Sequence, residues 1–588
     1  MRDGAAATGA AWRIAKAIPV SAVEKFPETD PMVLQLLWNR GLIDAETTPK
    51  QLARVLKPDF EAGLHDPMLM PNMKEALDRI DAAIAAGEPI TIYGDYDADG
   101  VPGAAVLLET LRRLTEKVDF YIPAREDEGY GLTEGPLRKL KGRGTKLIVT
   151  VDCGIKDLEA VELAKSLGME VIISDHHEVP EATPNTIIVH ARLKGSKYPY
   201  GYLCGAGVAY KIACAIVERH PDKYGLGFTK WLLDLVGLAT VADMVPLVDE
   251  NRILAYYGLI VLRKSRRPGL RDLLRLSHVE QREMNSSAIS YVLAPRLNAP
   301  GRLGNAEESL ELLLAEDPSD AMRLAEHLLS QNTARQKVTN MAFEEACKQI
   351  EAEPTLPKVL IAKGDWHKGV LGIVAGKVLE RYGRPCFVMA EETMLGVGPS
   401  PDQLELRGSA RSVDGFDLPE VLEACSDLIL RGGGHKAAAG FSLLPQNEAA
   451  FRKRISELAK DIEPEKLVKR VEADMVLTLD QVSLEQWSEI ERLEPYGVGN
   501  PRPVFFSRDV EIARAQRVGK TGDHLKLSLR QNGAVQQAIL FGHGRLPVPE
   551  KGSKVDICYQ VEVSRWPADP VRGRLRQQLS ITAMEAVR

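Results

Sequence analysis

The feature that most limits how this chain can fold is a repeated pairing of a short apolar run with a carboxylate or imidazole that directly follows it. Residues 90–93 run into Gly94-Asp95-Tyr96-Asp97-Ala98-Asp99-Gly100, Leu147–Val151 runs into Asp152, and 171–174 runs into Asp175-His176-His177. Apolar runs this short have the length of buried strands and not of helices. Helical spacing returns between them, over 104–114 and 158–167. Strands alternating with helices predict βαβ units and a parallel sheet, an α/β fold. In open sheets of this kind, ligands gather beyond the C-terminal ends of the strands. All three polar clusters fall on that edge.

Alternating carboxylates at 95, 97 and 99 raise one another's pKa values unless a cation offsets their repulsion. A calcium loop needs a bidentate Glu at its twelfth position, which counted from Asp95 is Val106, so that reading fails. A solvated acidic turn stays open for this stretch alone, as does a helix cap for Asp152. The three coincident strand ends favour one shared site. Asp243 closes a further apolar segment, 235–246 (LVGLATVADMVP). Carboxylates and imidazoles without a thiolate set favour Mn²⁺ or Mg²⁺ over structural zinc. Several bridging carboxylates suggest two ions, a clamp suited to in-line displacement at phosphorus. Lys520-Thr521 and Lys377 lack the earlier glycine of a phosphate loop, since Arg514 and Leu371 stand there. Phosphoester hydrolysis without nucleotide-driven work is the better class.

A chain of 588 residues is too long for one core. Residues 1–20 read as a frayed Ala-rich tail, and 33–40 and Met73–Ala86 as helices. A long helical stretch at 319–351 joins two halves, a second α/β block follows (strand 359–362, helix 370–381, strand 386–389), and turn-rich strands after about 470 suggest a small β-barrel. Seven scattered cysteines and no CxxC point to a reducing compartment. No apolar run reaches the ~20 residues of a membrane helix. The net charge of −7 argues against a nucleic-acid binder, yet residues 511–588 hold 13 Lys+Arg against 7 Asp+Glu. A basic barrel on an acidic body fits a tethered strand-binding module.

These residues resemble a known family. Asp175-His176-His177 is similar to the signature of the DHH phosphoesterase superfamily. Together with 93–100, 151–154, 203–209 (LCGAGVA) and 295–302 (PRLNAPGR), it resembles the RecJ family of single-strand-specific 5′→3′ DNA exonucleases. Residues 366–370 (WHKGV) and 431–440 (RGGGHKAAAG) look like the DHH-associated domain, and 493–503 (LEPYGVGNPRP) looks like the start of the oligonucleotide-binding barrel. The resemblance implies an N-terminal tail and helical segment (1–70), a DHH catalytic domain (71–315), a connecting helix (316–353), a DHH-associated substrate-binding domain (354–465) and an OB-like barrel (466–588).

It implies further that Asp97, Asp99, Asp152, His176, His177 and Asp243 hold the metals with Asp95 close by, and that Asp175 orients a histidine. Arg125 and Arg302 are implied at the terminal phosphate, where a guanidinium can bind in bidentate fashion. Asn298, Arg411, Ser412, Gly433, Gly434 and His435 are implied as further substrate contacts; without the family, a tight turn explains the glycines and a surface ion pair explains Arg411. The implied activity is release of 5′-mononucleotides by two-metal hydrolysis in DNA repair and recombination. The implied setting is a cytoplasmic monomer acting on single-stranded DNA, with a single-strand-binding protein and a helicase as candidate partners. A phosphodiesterase of short oligonucleotides or cyclic dinucleotides, and a catalytically silent DHH scaffold, are the alternatives.

Three segments depart from the family pattern: Pro102-Gly103, 189–193 (VHARL) and Gly376-Lys377. None removes an implied metal ligand. Tyr130, Tyr496, Phe505 and Phe506 are available for base stacking, but each reads first as a core residue.

Overall fold

Ile90–Gly94 and Leu147–Val151 are buried at every residue. Strands covered on both faces lie inside a parallel sheet. The computed structural model, which describes residues 11–124, 128–393, 404–467, 470–519, 521–544, 547–564 and 576–586, places them there. The sheet runs Val118–Tyr121, Ile90–Gly94, Leu147–Val151, Glu170–Ser174, Ile187–Val189, and every pair is parallel. Strand order therefore reverses between Ile90–Gly94 and Leu147–Val151, and a crevice opens beyond their C-terminal ends.

Helix Gly100–Leu111 starts in that crevice, four residues earlier than the apolar spacing suggests. Pro102 is tolerated because a first-turn residue needs no amide donor. Gly103 is needed for packing: a Cβ there would lie 2.6 Å from Val151 Cγ1 and 2.9 Å from Ala206 Cα. This departure from the family pattern lets helix Gly100–Leu111 pack closely on both Leu147–Val151 and helix Gly205–Arg219.

Helix Pro318–Glu351 runs from this lobe to the second one. Asp317 starts it by accepting the amides of Ser319 and Asp320. The second lobe carries a five-stranded mixed sheet, in which Leu360–Gly364 and Cys386–Thr393 are parallel and the remaining pairs antiparallel. The glycine run is not a loop. Ile429–His435 and Ala438–Leu443 form the edge hairpin of this sheet.

Near the C-terminus, Phe505–Val518 pairs with both His524–Gln531 and Lys554–Ser564, and Ala534–Leu540 and Arg576–Ala586 complete a closed five-stranded barrel. Register shifts at Ser507/Val510 and Ile512/Arg514 let the long strand bend across both partners. Tyr496, Phe505 and Phe506 are buried.

Two expectations change here. Ala11–Ile14 is a strand paired with Arg470–Ala473, not a frayed tail; residues 1–10 lie outside those described. Helix Pro31–Asn39 is capped by Asp30, and helix Pro49–Leu56 by a Thr48–Gln51 capping box. Leu34, Leu37 and Leu52 from these helices share one core with Leu477, Trp487 and Phe505 of the barrel region. The barrel is also docked, not merely tethered. Arg252 of the first lobe donates to the carbonyls of Leu493 (3.0 Å), Glu494 (3.4 Å) and Val55 (3.0 Å), and the Leu247 amide donates to Val498 at 2.7 Å.

Candidate metal centre and nucleotide cleft

Each acidic residue is aimed by the backbone that follows its strand. After Ile90–Gly94 the chain turns so tightly that a Cβ at Gly100 would lie 2.6 Å from the Asp95 amide nitrogen. Asp97 Oδ1 accepts the amides of Asp99 (2.8 Å) and Gly100 (3.1 Å) at the start of the helix. Asp99 points across to the N-terminus of helix Gly205–Arg219, taking the amides of Gly205 (2.6 Å) and Ala206 (2.8 Å). That helix end carries partial positive charge. Asp152 follows Leu147–Val151 with φ of 65°, a left-handed conformation uncommon outside glycine. Asp243 ends helix Leu233–Ala242.

The histidines follow Glu170–Ser174 directly. His176 Nε2 lies 3.0 Å from Asp152 Oδ1 and 3.7 Å from both Asp99 Oδ2 and Asp243 Oδ2. One ring nitrogen cannot satisfy three carboxylates. Asp152 Oδ1 is moreover buried and accepts no hydrogen bond. The donor atoms converge on a common point instead of on one another, as ligands of a cation do. Three groups, Asp152–His176–His177, Asp99–His176–Asp243 and Asp95–Asp97–Asp152, each offer ligand atoms within 4.8 Å of one another. Asp152 belongs to two of them, which suits a bridging carboxylate between two ions. Cys153 is buried and its thiol faces the Tyr93 carbonyl, so no thiolate joins the set. Oxygen and imidazole donors fit Mn²⁺ or Mg²⁺.

Burial, and then the neighbouring carboxylates, push Asp152 and Asp243 up, the latter to about 9. Asp99 is also raised, chiefly by burial. Asp175 behaves oppositely. Burial raises it, but the His177 ring at 2.8 Å, the amides of His176 (2.7 Å) and His177 (3.1 Å), and the Ile155 amide at 3.0 Å outweigh that and hold it at about 2. Asp175 is thus favoured as the carboxylate, within hydrogen-bond reach of the His177 ring. Tyr130 stands over the site, half exposed, with its hydroxyl 3.1 Å from the Asp152 carbonyl oxygen and its ring edge-on to His177.

A cavity of about 470 Å³ lies between the lobes, lined by Arg302, Lys368, Gly369, Arg407, Ser409, Arg411 and Gly434, among others. Arg302 bridges the lobes by donating to the Gly369 carbonyl at 3.1 Å. Arg411 donates to Ser409 Oγ at 3.3 Å, and both reach the cavity from strand Leu404–Arg411. A Cβ at Gly434 would lie 2.4 Å from the Ala438 carbonyl oxygen. Gly433 and His435 are exposed on the same hairpin, outside the cavity lining. Ser412 is not brought in: it is buried and its hydroxyl donates to the Phe416 carbonyl. Asn298 is spent on the acidic loop, where its Oδ1 accepts the Ala98 amide at 2.6 Å. Arg125 lies outside the described residues.

Residue-by-residue reading of the sequence missed Lys368, Arg407 and Ser409. Lys368 sits in the segment 366–370, and Arg407 and Ser409 sit on the strand that carries Arg411. Strand alternation was the available signal for Ser409, because residues 407, 409 and 411 share one face while 412 does not. Lys368 and Arg407 both pair with Glu392, the latter at 3.1 Å.

Known proteins resemble the chain over most of its length. Residues 89–240 match the DHH family, N-terminal domain; 356–461 match the DHHA1 domain; 473–581 match the RecJ OB domain. The chain is 38% identical to the single-stranded-DNA-specific exonuclease RecJ of Bacillus subtilis, covering 94% of this chain and 67% of that protein. It is 32% identical to the protein of the same name from Haemophilus influenzae, covering 92% and 94%. The crystal structure of RecJ in complex with Mn²⁺ from Thermus thermophilus superimposes with a TM-score of 0.81 at 28% identity, over 100% of this chain and 80% of that one.

Proposed function

The chain belongs to the RecJ family of single-stranded-DNA-specific exonucleases, and on that premise we propose that its acidic crevice hydrolyses the phosphodiester next to a strand's 5′ end, releasing 5′-mononucleotides. One observation carries the reading: five carboxylates and two imidazoles, from three strand ends and one helix end, converge on common points beside a cavity lined by arginines.

Asp95, Asp97, Asp99, Asp152, His176, His177 and Asp243 would hold Mn²⁺ or Mg²⁺, which when bound would supply Lewis-acid activation of water and charge neutralisation at phosphorus. The chain's own residues do the positioning. Arg302 receives the terminal phosphate, Arg411 holds a nucleotide further along the strand, and Lys368, Arg407 and Ser409 extend the polar lining of the same cavity. Asp175 keeps His177 in one orientation, and Asn298 holds the acidic loop against the segment that carries Arg302. The barrel binds the strand further along. No described helix is long and apolar enough to cross a membrane. A cytoplasmic monomer, recruited by a single-strand-binding protein or working behind a helicase, fits these features.

Incubation with Mn²⁺ and strands blocked at either end tests the reading. Mononucleotides from 3′-blocked DNA, and none from 5′-blocked DNA, are expected. Intact long strands alongside rapid cleavage of dinucleotides would instead favour an oligonucleotide phosphodiesterase.

A further inference from the structure

Among the described residues, arginines withdrawn from solvent are satisfied in different ways. Arg267 is held by Glu109 and Asp234, and Arg252 by three carbonyls. Arg296 and Arg335 differ. Arg296 lies on the short helix Ala294–Leu297 and Arg335 on Pro318–Glu351, which packs against it. Both side chains are partly buried, and the Nε of each is shut off from solvent with no acceptor. Arg296 Nη1 donates to its own helix at the Val292 carbonyl (2.8 Å), and Arg335 Nη2 to Asn332 Oδ1 (2.9 Å). Among the described residues neither has a carboxylate partner. Burial lowers the proton affinity of both, and the charge on Arg296 lowers that of Arg335 further.

Two like charges brought together and partly desolvated are costly unless an anion joins them. Their place in the fold says which anion. The segment carrying Arg296 continues to Asn298, which accepts the Ala98 amide of the acidic loop, and to Arg302, in the inter-lobe cavity. The same long helix that carries Arg335 also packs on Pro300–Leu303. We propose that Arg296 and Arg335 form a second anion site that grips an internal backbone phosphate of the strand, beyond the terminal phosphate held by Arg302. Guanidinium forks suit the two free oxygens of a phosphodiester. The site fixes the strand's register, so that each hydrolysis is followed by a shift of one phosphate into it. This rests on the single-strand exonuclease reading above.

The test uses the full-length protein in EDTA, where strands bind without being cut. Arg296→Met and Arg335→Met are each expected to weaken binding of a 5′-phosphorylated twelve-nucleotide strand about tenfold. Each should also reduce the slope of log K against log salt by about 0.7. A neutral methylphosphonate is then walked along the strand. One position should weaken wild-type binding about tenfold while weakening neither Met variant further, and it should be the same position for both arginines. Lysine variants keep the charge without the fork and stand in if the Met variants fail to fold; they should lose at least half the effect at that position. Unchanged affinity and salt slope in the variants, or no shared position, overturns the proposal. Protection of wild-type protein by inorganic phosphate, with strand affinity unaltered in the variants, would mean a free-anion site and overturns it too. Wild-type protein that cleaves strands while the variants bind normally sinks this inference alone; wild-type protein that cuts no strands sinks the reading beneath it.

Discussion

His190 Nε2 lies 2.8 Å from the backbone oxygen of His177, and since a carbonyl can only accept, the imidazole donates there. Its Nδ1 accepts the Arg192 amide at 2.9 Å, which selects the neutral tautomer. Burial favours that neutral form as well. Arg192 reaches back with Nη2 to the His176 carbonyl at 2.7 Å. Residues 189–193, which depart from the family pattern, thus hold both peptide carbonyls of the histidine pair from behind. Groups that orient ligands set metal affinity by about 10- to 100-fold. His190→Ala and Arg192→Met should each weaken Mn²⁺ binding by that order, read from the signal of free Mn²⁺ in electron paramagnetic resonance. Strand binding in EDTA should stay at the wild-type level. Unaltered Mn²⁺ affinity in both variants would falsify this role.

Gly205 is where helix and acidic site touch. A Cβ there would lie 2.5 Å from Asp152 Cβ and 2.8 Å from its Cγ. The amide of the same residue holds Asp99. Gly205→Ala should therefore displace two carboxylates at once, costing about 1–3 kcal/mol of stability from overpacking. Activity should fall by about a hundredfold or more, since a displacement of 1 Å can cost that much. Thermal unfolding together with Mn²⁺-dependent nuclease rates checks both.

Metal binding and protonation should compete. In the metal-free protein Asp243 keeps its proton to about 9, and Asp99 and Asp152 are raised with it. Above the ordinary carboxylate range, and up to about pH 9 for Asp243, the native state holds more protons than the unfolded chain. Metal-free stability should therefore fall as pH rises through that window. A divalent ion replaces those protons, so the gain in Tm on adding Mn²⁺ should be larger at pH 8 than at pH 6. Calorimetry in two buffers of different ionisation enthalpy should show proton release on binding. An equal gain at both pH values would refute the coupling.

Lys211 and Glu250 form a fully buried ion pair that ties the N-terminal region to the catalytic lobe. Lys211 also donates to the His65 carbonyl at 2.8 Å, and Glu250 accepts the His65 amide at 2.9 Å and the Tyr198 hydroxyl. Lys211→Met leaves a carboxylate buried without its cation and should cost about 3–5 kcal/mol. Adding Glu250→Leu should restore part of that loss, which chemical denaturation of the single and double variants would reveal. Equal loss in the single and double variants is the contrary result.

The strands of the catalytic sheet were legible because burial on both faces leaves a mark that no distant residue can erase. Leu147–Val151 and the helix Met73–Ala86, closed by Gly87 in the left-handed conformation, appear with the bounds their residues suggest. The acids and histidines were legible as well, since each follows its strand within a few residues and chain connectivity alone carries it to the sheet edge. What the sequence could not decide depends on side-chain direction and on contacts between distant segments. Whether Ser409 or Ser412 faces the cavity is a matter of strand face, and whether Asn298 meets substrate or the Ala98 amide depends on a partner 200 residues away. The union of Leu34 and Leu37 with the barrel core brings the two ends of the chain together. Hydrophobic burial is non-directional, so it specifies that these leucines be covered without saying by what. Only the packed structure chooses the partner, and with it the docking of the barrel on the lobe that carries the metal site.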